Sequence, residues 1–305
     1  MAANTTTWNG SVDSDWDTAG NWSSGVPDTD STVVIDGTVD ITGGEPSAAV
    51  FQRLFVTYSY TGSIGSAGTP LEIDCSQVSH DSTASSSTAY IDLLGATHTT
   101  PDVTSDGSNA GSALVISGAI DRLFVPPTMV GDITLGNGAS FTADIKDLYM
   151  LASSGTIHAT NATNLNWQSS GTIRMTAGTI NIAENFGTSS NVVISGGTIT
   201  VSEWTATTGD SITILGGNVV WDAGDASFDV SAIAVNTVRT LTVIGGSFSL
   251  ASNVNASVTF DKIYQFGGTV DMESTFANVI YNDSYERFGG TYVPPKQSSI
   301  GTTVL

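Results

Sequence analysis

Seven octads in this chain read as variants of one phrase: SSGTIHAT (153–160), TAGTINIA (176–183), SGGTITVS (195–202), LGGNVVWD (215–222), IGGSFSLA (244–251), FGGTVDME (266–273) and FGGTYVPP (288–295). Their aligned glycines are Gly155, Gly178, Gly197, Gly217, Gly246, Gly268 and Gly290, and only the interval from Gly217 to Gly246 is long, by about a loop insertion. After each glycine comes a small polar residue, then an apolar one, then a polar one. That is period two, the pattern of a strand with one buried face. A second short strand precedes the glycines, as in NVVIS, SITIL, LTVI and KIYQF. The repeating unit is therefore strand, glycine corner, strand and polar loop. Glycine suits the corner because it adopts positive φ and lets backbones approach closely.

A second marker carries the repeat toward the N-terminus: QRLFV (52–56), DRLFV (121–125), KDLYM (146–150) and DKIYQ (261–265). The interval from Leu54 to Leu123 spans three such periods, and Leu148 lies one further on. Arg53, Arg122, Lys146 and Lys262 sit in this marker, where stacking brings cations to neighbouring carboxylates. A period of about 20–23 residues without a helix signal is one coil of a parallel β-solenoid, whose coils bury their inner faces only by stacking. A leucine-rich repeat would need a Leu and Asn ladder, and a β-sandwich would not align its Gly-Gly corners. The expected fold is all-β, a single-chain parallel β-helix with structural corners at Gly178, Gly197, Gly217, Gly246, Gly268 and Gly290. Residues 1–48 read as a Trp- and Asp-rich cap segment, 49–290 as the solenoid and 291–305 as a C-terminal tail. The Ser- and Thr-rich stretch 74–112 reads as loop insertions.

Acidic residues outnumber basic ones 29 to 8, a net charge of −21. Nucleic-acid affinity rests on Lys and Arg displacing counterions, so nucleic acid is excluded as a partner, and anionic membranes with it. The charged fraction is only 12%, against roughly 25% in an ordinary globular protein. Cys75 is the one cysteine, which leaves no intramolecular disulfide and no thiolate zinc site; it reads as a small buried hydrophobe. MAANTTTWNG carries no basic and apolar secretion signal, and no apolar run approaches the ~20 residues of a membrane span. A soluble chain that folds where it is made is expected.

Chemistry is sparsely marked. The strongest carboxylate constellation is Glu203 with Asp222, Asp225 and Asp229, beside Trp204 and Trp221. Two carboxylates about 5–10 Å apart serve as acid and base in glycoside cleavage; the alternative is that these are solvated loop acids. His80, His98 and His158 show no ligand spacing. Asp13, Asp15 and Asp17 resemble the start of a calcium loop, but the sixth and twelfth positions are Thr18 and Ser24, not Gly and Glu. No metal and no cofactor is expected.

The stretch SDWDTAGNWSSGVPDTDSTVVIDG (14–37) holds Trp16 and Trp22, with Trp8 just upstream. The spacing Trp8, Trp16, Asn21-Trp22, Pro27 and the strand from Thr32 to Ile35 resembles the N-terminal segment of bacterial surface and autotransporter β-helix proteins. Similar segments occur in virion proteins of tailed phages. The resemblance implies a right-handed β-helix whose first coil is capped by Trp8, Trp16 and Trp22, which are also candidates for an interface. The chain shows neither a signal peptide nor a membrane barrel, so it is most similar to a capsid decoration or cement protein. Such a protein is non-enzymatic and sits on the virion exterior. Its partners are the major capsid protein and further copies of itself, expected as a trimer. A tailspike that binds or cleaves polysaccharide, with Glu203, Asp222 and Asp225 as its catalytic group, is the alternative. A bacterial surface adhesin is the third.

Overall fold

The computed structural model describes residues 4–42, 49–81, 88–98, 101–106, 113–136, 143–151, 154–159, 165–187, 191–205, 211–221, 236–250, 257–273 and 278–295. Apart from a 3-10 turn at Ala19–Asn21, its regular structure is β, and its strand pairs are parallel and stacked as a β-solenoid. The chain divides into two compact units, Met1–Asn164 and Leu165–Leu305.

In the first unit, one face stacks the strands Asn4–Trp8, Ser31–Ile35, Arg53–Val56, Gln77–His80 and Asp102–Ser105, then the C-terminal parts of Ala113–Val125 and Ala143–Met150. Alternation sends every second side chain inward. Val33, Leu54, Val78, Val103, Leu123 and Leu148 thus form one buried ladder in register. Leu54 reaches Leu123 in three register steps, as their spacing in the sequence requires. A second face carries the ladder Ile41, Ile64, Ala89, Leu114, Ile133 and Ile157. Each fully buried Val, Leu or Ile contributes about 1.5–3 kcal/mol, and none is buried until the next coil is laid down.

Two features depart from expectation. The parallel stack runs into the segment 1–48, since Asn4–Trp8 pairs with Ser31–Ile35, and that strand pairs with Arg53–Val56. The stretch 74–112, expected as loops, carries the strands Gln77–His80, Thr88–Leu93 and Asp102–Ser105. The physical reason is that QVSH and DVTS each point one polar residue inward: His80 and Ser105 are buried beside Val78 and Val103, so the strands read as polar. Buried Asp74 closes this region, accepting hydrogen bonds from the backbone N–H groups of Thr97 and His98 at 2.5 and 2.8 Å, with His98 Nδ1 at 3.0 Å. Cys75 is buried, as expected, and burial pushes its thiol up to about 12. Of the marker cations, Arg122 meets Asp102 and Lys146 meets Asp121.

In the second unit, one face holds Leu165–Met175, Asn191–Ile194, Ser211–Ile214, Asn236–Val243, Ser257–Gln265 and Asn278–Arg287. The other holds Thr179–Gly187, Thr198–Thr205, Asn218–Trp221, Ser247–Leu250, Thr269–Asp271 and Thr291–Val293. Ile173, Val192, Ile212, Leu241, Ile263 and Tyr285 line the first face inward; Ile180, Ile199, Val219, Phe248 and Val270 line the second. In the last coils Tyr285 donates its hydroxyl to Gln265 Oε1, and the Gln265 amide donates to Thr291 O at 2.8 Å, so a buried polar link joins the two faces.

The two faces meet at the glycine corners. Gly178, Gly197, Gly217, Gly246, Gly268 and Gly290 all take positive φ, between 65° and 86°. Gly155 is not among the left-handed glycines and is buried beside Met129. At Gly246, φ is +70° and a Cβ would lie 2.1 Å from Gly217 O of the preceding corner, so both conformation and space demand glycine. At Gly37, φ is +94° but the space is open. Gly246→Ala is therefore expected to lower unfolding stability by more than the ~1–2 kcal/mol that left-handed backbone alone costs. Gly37→Ala is expected to stay within that range. Thermal unfolding of the two variants measures the difference.

Candidate functional site

The tryptophans expected at an interface lie inside. Trp8, Trp16 and Trp22 are all buried, and their rings meet edge to face, Trp8–Trp22 at 5.1 Å and Trp16–Trp22 at 4.6 Å. Trp16 also stacks on Phe51 at 6.0 Å. Trp8 Nε1 donates to Val39 O and Trp22 Nε1 to Trp16 O, whereas Trp16 Nε1 has no partner among the described residues. The cluster thus closes the N-terminal coils of the first unit and offers no indole face to a partner.

The carboxylates around it hold the loop. Asn21, buried, donates to Asp13 Oδ1 and accepts from the backbone N–H groups of Val12 and Asp13. Asp13 and Asp15 each accept from the backbone N–H two residues on. The Asn21 hydrogen bond, with that from Asp15 N–H, holds the Asp13 carboxyl below its usual range. Among the described residues no group of three or more His, Cys, Asp or Glu is placed to hold a metal.

Of the carboxylate constellation, Asp222, Asp225 and Asp229 lie outside the described residues. Glu203 sits in the strand Thr198–Thr205, opposite Asn185. Trp204 pairs with Phe186 and Trp221 with Val201, so the two tryptophans are offset along the ladder and do not stand opposite one another.

A different feature emerges at the glycine corners of the second unit. The residue just before each Gly-Gly pair points outward, and on four consecutive coils it is large and apolar: Leu215 is 47% exposed, Ile244 49%, Phe266 51% and Phe288 65%. Phe266 and Phe288 stack with ring centroids 4.9 Å apart and planes 9° from parallel. The ridge is rigidly set, because the backbone N–H of each residue donates to the coil before: Leu215 to Ile194 O, Ile244 to Ile214 O, Phe266 to Val243 O and Phe288 to Gln265 O.

The flanks of the ridge are almost uncharged. On one side the outward positions are Thr213, Thr242 and Tyr264, and on the other Asn218, Ser247, Thr269 and Thr291; charge enters only on the last coil, with Glu286 and the exposed Arg287, which donates to Gly290 O. In a chain of net charge −21, an apolar ridge between neutral hydroxyl and amide ladders is a distinct surface. Sequence reasoning missed it because period two assigns the first letters of LGG, IGG and FGG to the strand end. The signal was present: Ile214-Leu215 and Val243-Ile244 place two large apolar residues in succession, and in a strand only one of them can face inward.

Comparison with protein-family models, with curated proteins and with solved structures returned no match.

Proposed function

We propose that this chain is a non-enzymatic structural protein that packs laterally against further copies of itself and decorates the outer surface of a tailed-phage capsid, stabilising the shell. The observation that carries this reading is the ridge of Leu215, Ile244, Phe266 and Phe288, exposed between nearly uncharged flanks. A second copy is the occupant that suits it. Copies carrying −21 each repel one another over most of their surface, and the ridge with its Thr, Ser and Asn flanks is where like chains meet with few carboxylates juxtaposed. A stack of parallel coils presents the ridge on fixed backbone, so little ordering accompanies association.

The capsid assignment rests on the resemblance of the N-terminal segment and on the solenoid architecture, with the major capsid protein as the second partner. Immunogold labelling of particles from the lysate that yields the protein tests it. Gold spread over the heads is the expected result. Gold at the tail tip, or unlabelled particles, overturns the assignment and moves attention to the spike or adhesin alternatives.

A further inference from the structure

A groove on the outer face of the first unit lies apart from the ridge and takes no part in the self-association proposed above. Its volume is about 380 Å³ and it is lined by Gln77, Asp102, Thr104, Arg122, Phe124 and Tyr149. The register explains how it arises. Along the outward ladder Phe55, Ser79, Thr104, Phe124 and Tyr149, two small residues are followed by two aromatic ones, so a depression forms with a ring-lined wall. The neighbouring outward ladder, Gln77, Asp102 and Arg122, borders it with polar groups.

The polar groups are paired yet reachable. Arg122 donates from Nε to Asp102 Oδ1 at 2.8 Å and from a terminal nitrogen to Oδ2 at 2.5 Å, while 55% of the Arg122 side chain and 40% of the Asp102 side chain stay exposed. The side chains of Gln77 and Thr104 make no hydrogen bond to described residues. The groove therefore offers carboxylate acceptors, guanidinium donors, an amide and a hydroxyl, with zero net charge from its ion pair, beside exposed aromatic surface at Phe124.

We propose that this groove binds a neutral saccharide. A pyranose ring has hydroxyl edges that need both donors and acceptors, and C–H faces whose positive hydrogens settle on the negative face of an aromatic ring. Arg122, Asp102, Gln77 and Thr104 supply the first need, and Phe124 and Tyr149 supply the second. The charge of −21 disfavours polyanionic glycans and nucleic acid. An extended peptide would need free backbone groups, but Gln77–His80 and Asp102–Ser105 pair within the stack of coils on both sides.

The test is binding of the full chain to an array of neutral glycans, acidic glycans and peptides, followed by calorimetric titration of the neutral oligosaccharide best retained. Retention on neutral glycans is expected, with an affinity loss of about ten-fold in Tyr149→Ala. Thr104→Trp, which fills the groove and keeps every other lining group, is expected to abolish binding while circular dichroism and the thermal midpoint stay unchanged. Retention only on acidic glycans, only on peptides or on no spot overturns the proposal. So does binding that survives in a folded Thr104→Trp variant. Phe288→Ser, in the other unit, is expected to leave saccharide binding intact, which separates this site from the ridge.

Discussion

Trp16→Ala is expected to lower unfolding stability by about 3–5 kcal/mol, the usual range for removing a large aromatic side chain from a packed core. Trp16 is fully buried, and its indole fills the space between Trp22 and Phe51. Alanine leaves a cavity that is not readily closed, because Trp22 is tied to Trp8 by a backbone bridge and Phe51 N–H is bonded to Asp74 O. Trp16→Phe is expected to cost much less. It retains aromatic area against Phe51 and removes an indole N–H that has no acceptor among the described residues. Trp22→Phe differs, because Trp22 Nε1 donates to Trp16 O at 2.7 Å, so losing the indole there strands a buried acceptor. Urea unfolding followed by tryptophan fluorescence and circular dichroism gives the order: wild type, Trp16→Phe, Trp22→Phe, Trp16→Ala. A Trp16→Ala variant as stable as wild type would mean that the cluster does not close the core.

The second large effect is a dependence on pH. His80 occupies an inward position of the first unit, between Val56 and Ser105 in register, and its Nδ1 has no partner among the described residues. Burial lowers its pKa from 6.5 to about 4. Above pH ~6.5 both folded and unfolded chains carry it neutral, and it adds no pH dependence. As pH falls from ~6.5 to ~4 the unfolded chain takes up a proton that the folded chain refuses, and about 3 kcal/mol of stability is lost. His80→Leu is expected to remove that slope and to be at least as stable as wild type at neutral pH.

Carboxylates add their own pH dependence. For Asp74, burial raises the pKa, but hydrogen bonds from His98 and Thr97 outweigh it, so its carboxyl stays low. Its stabilisation is present above the ordinary carboxylate range and fades only as pH falls below ~4. Asp81 and Asp92, raised chiefly by burial, act in the opposite sense on acidification. The difference between wild-type and His80→Leu unfolding curves isolates the histidine. A difference that does not change between pH 7 and 4 would contradict the burial of His80.

The corners and the Leu54, Leu123 and Leu148 ladder were legible because glycine and period-two apolar alternation are local signals that the fold cannot avoid. His80 and Ser105 were not legible as core, since an inward position between coils accepts a polar residue and the letters then read as loop. For Trp8, Trp16 and Trp22 the resemblance implied both a cap and an interface, and no spacing could tell that all three rings are buried or which indole lacks an acceptor among the described residues. The ridge failed for the opposite reason: Phe266 and Phe288 are apolar letters on the outer surface, and composition cannot distinguish them from core. The groove was beyond reach altogether. Gln77, Thr104, Phe124 and Tyr149 come from four successive coils of unequal length, and they meet only through the register that those lengths set.

The most direct test of the central claim, that the ridge joins copies of this chain, is sedimentation velocity of the wild type beside a Phe266→Ser/Phe288→Ser double variant. The wild type is expected to sediment as an oligomer, with the trimer as the expected state, and the double variant as a monomer whose thermal unfolding is otherwise that of a folded chain. A wild type that remains monomeric across the accessible concentration range, or a double variant that assembles as the wild type does, would contradict it.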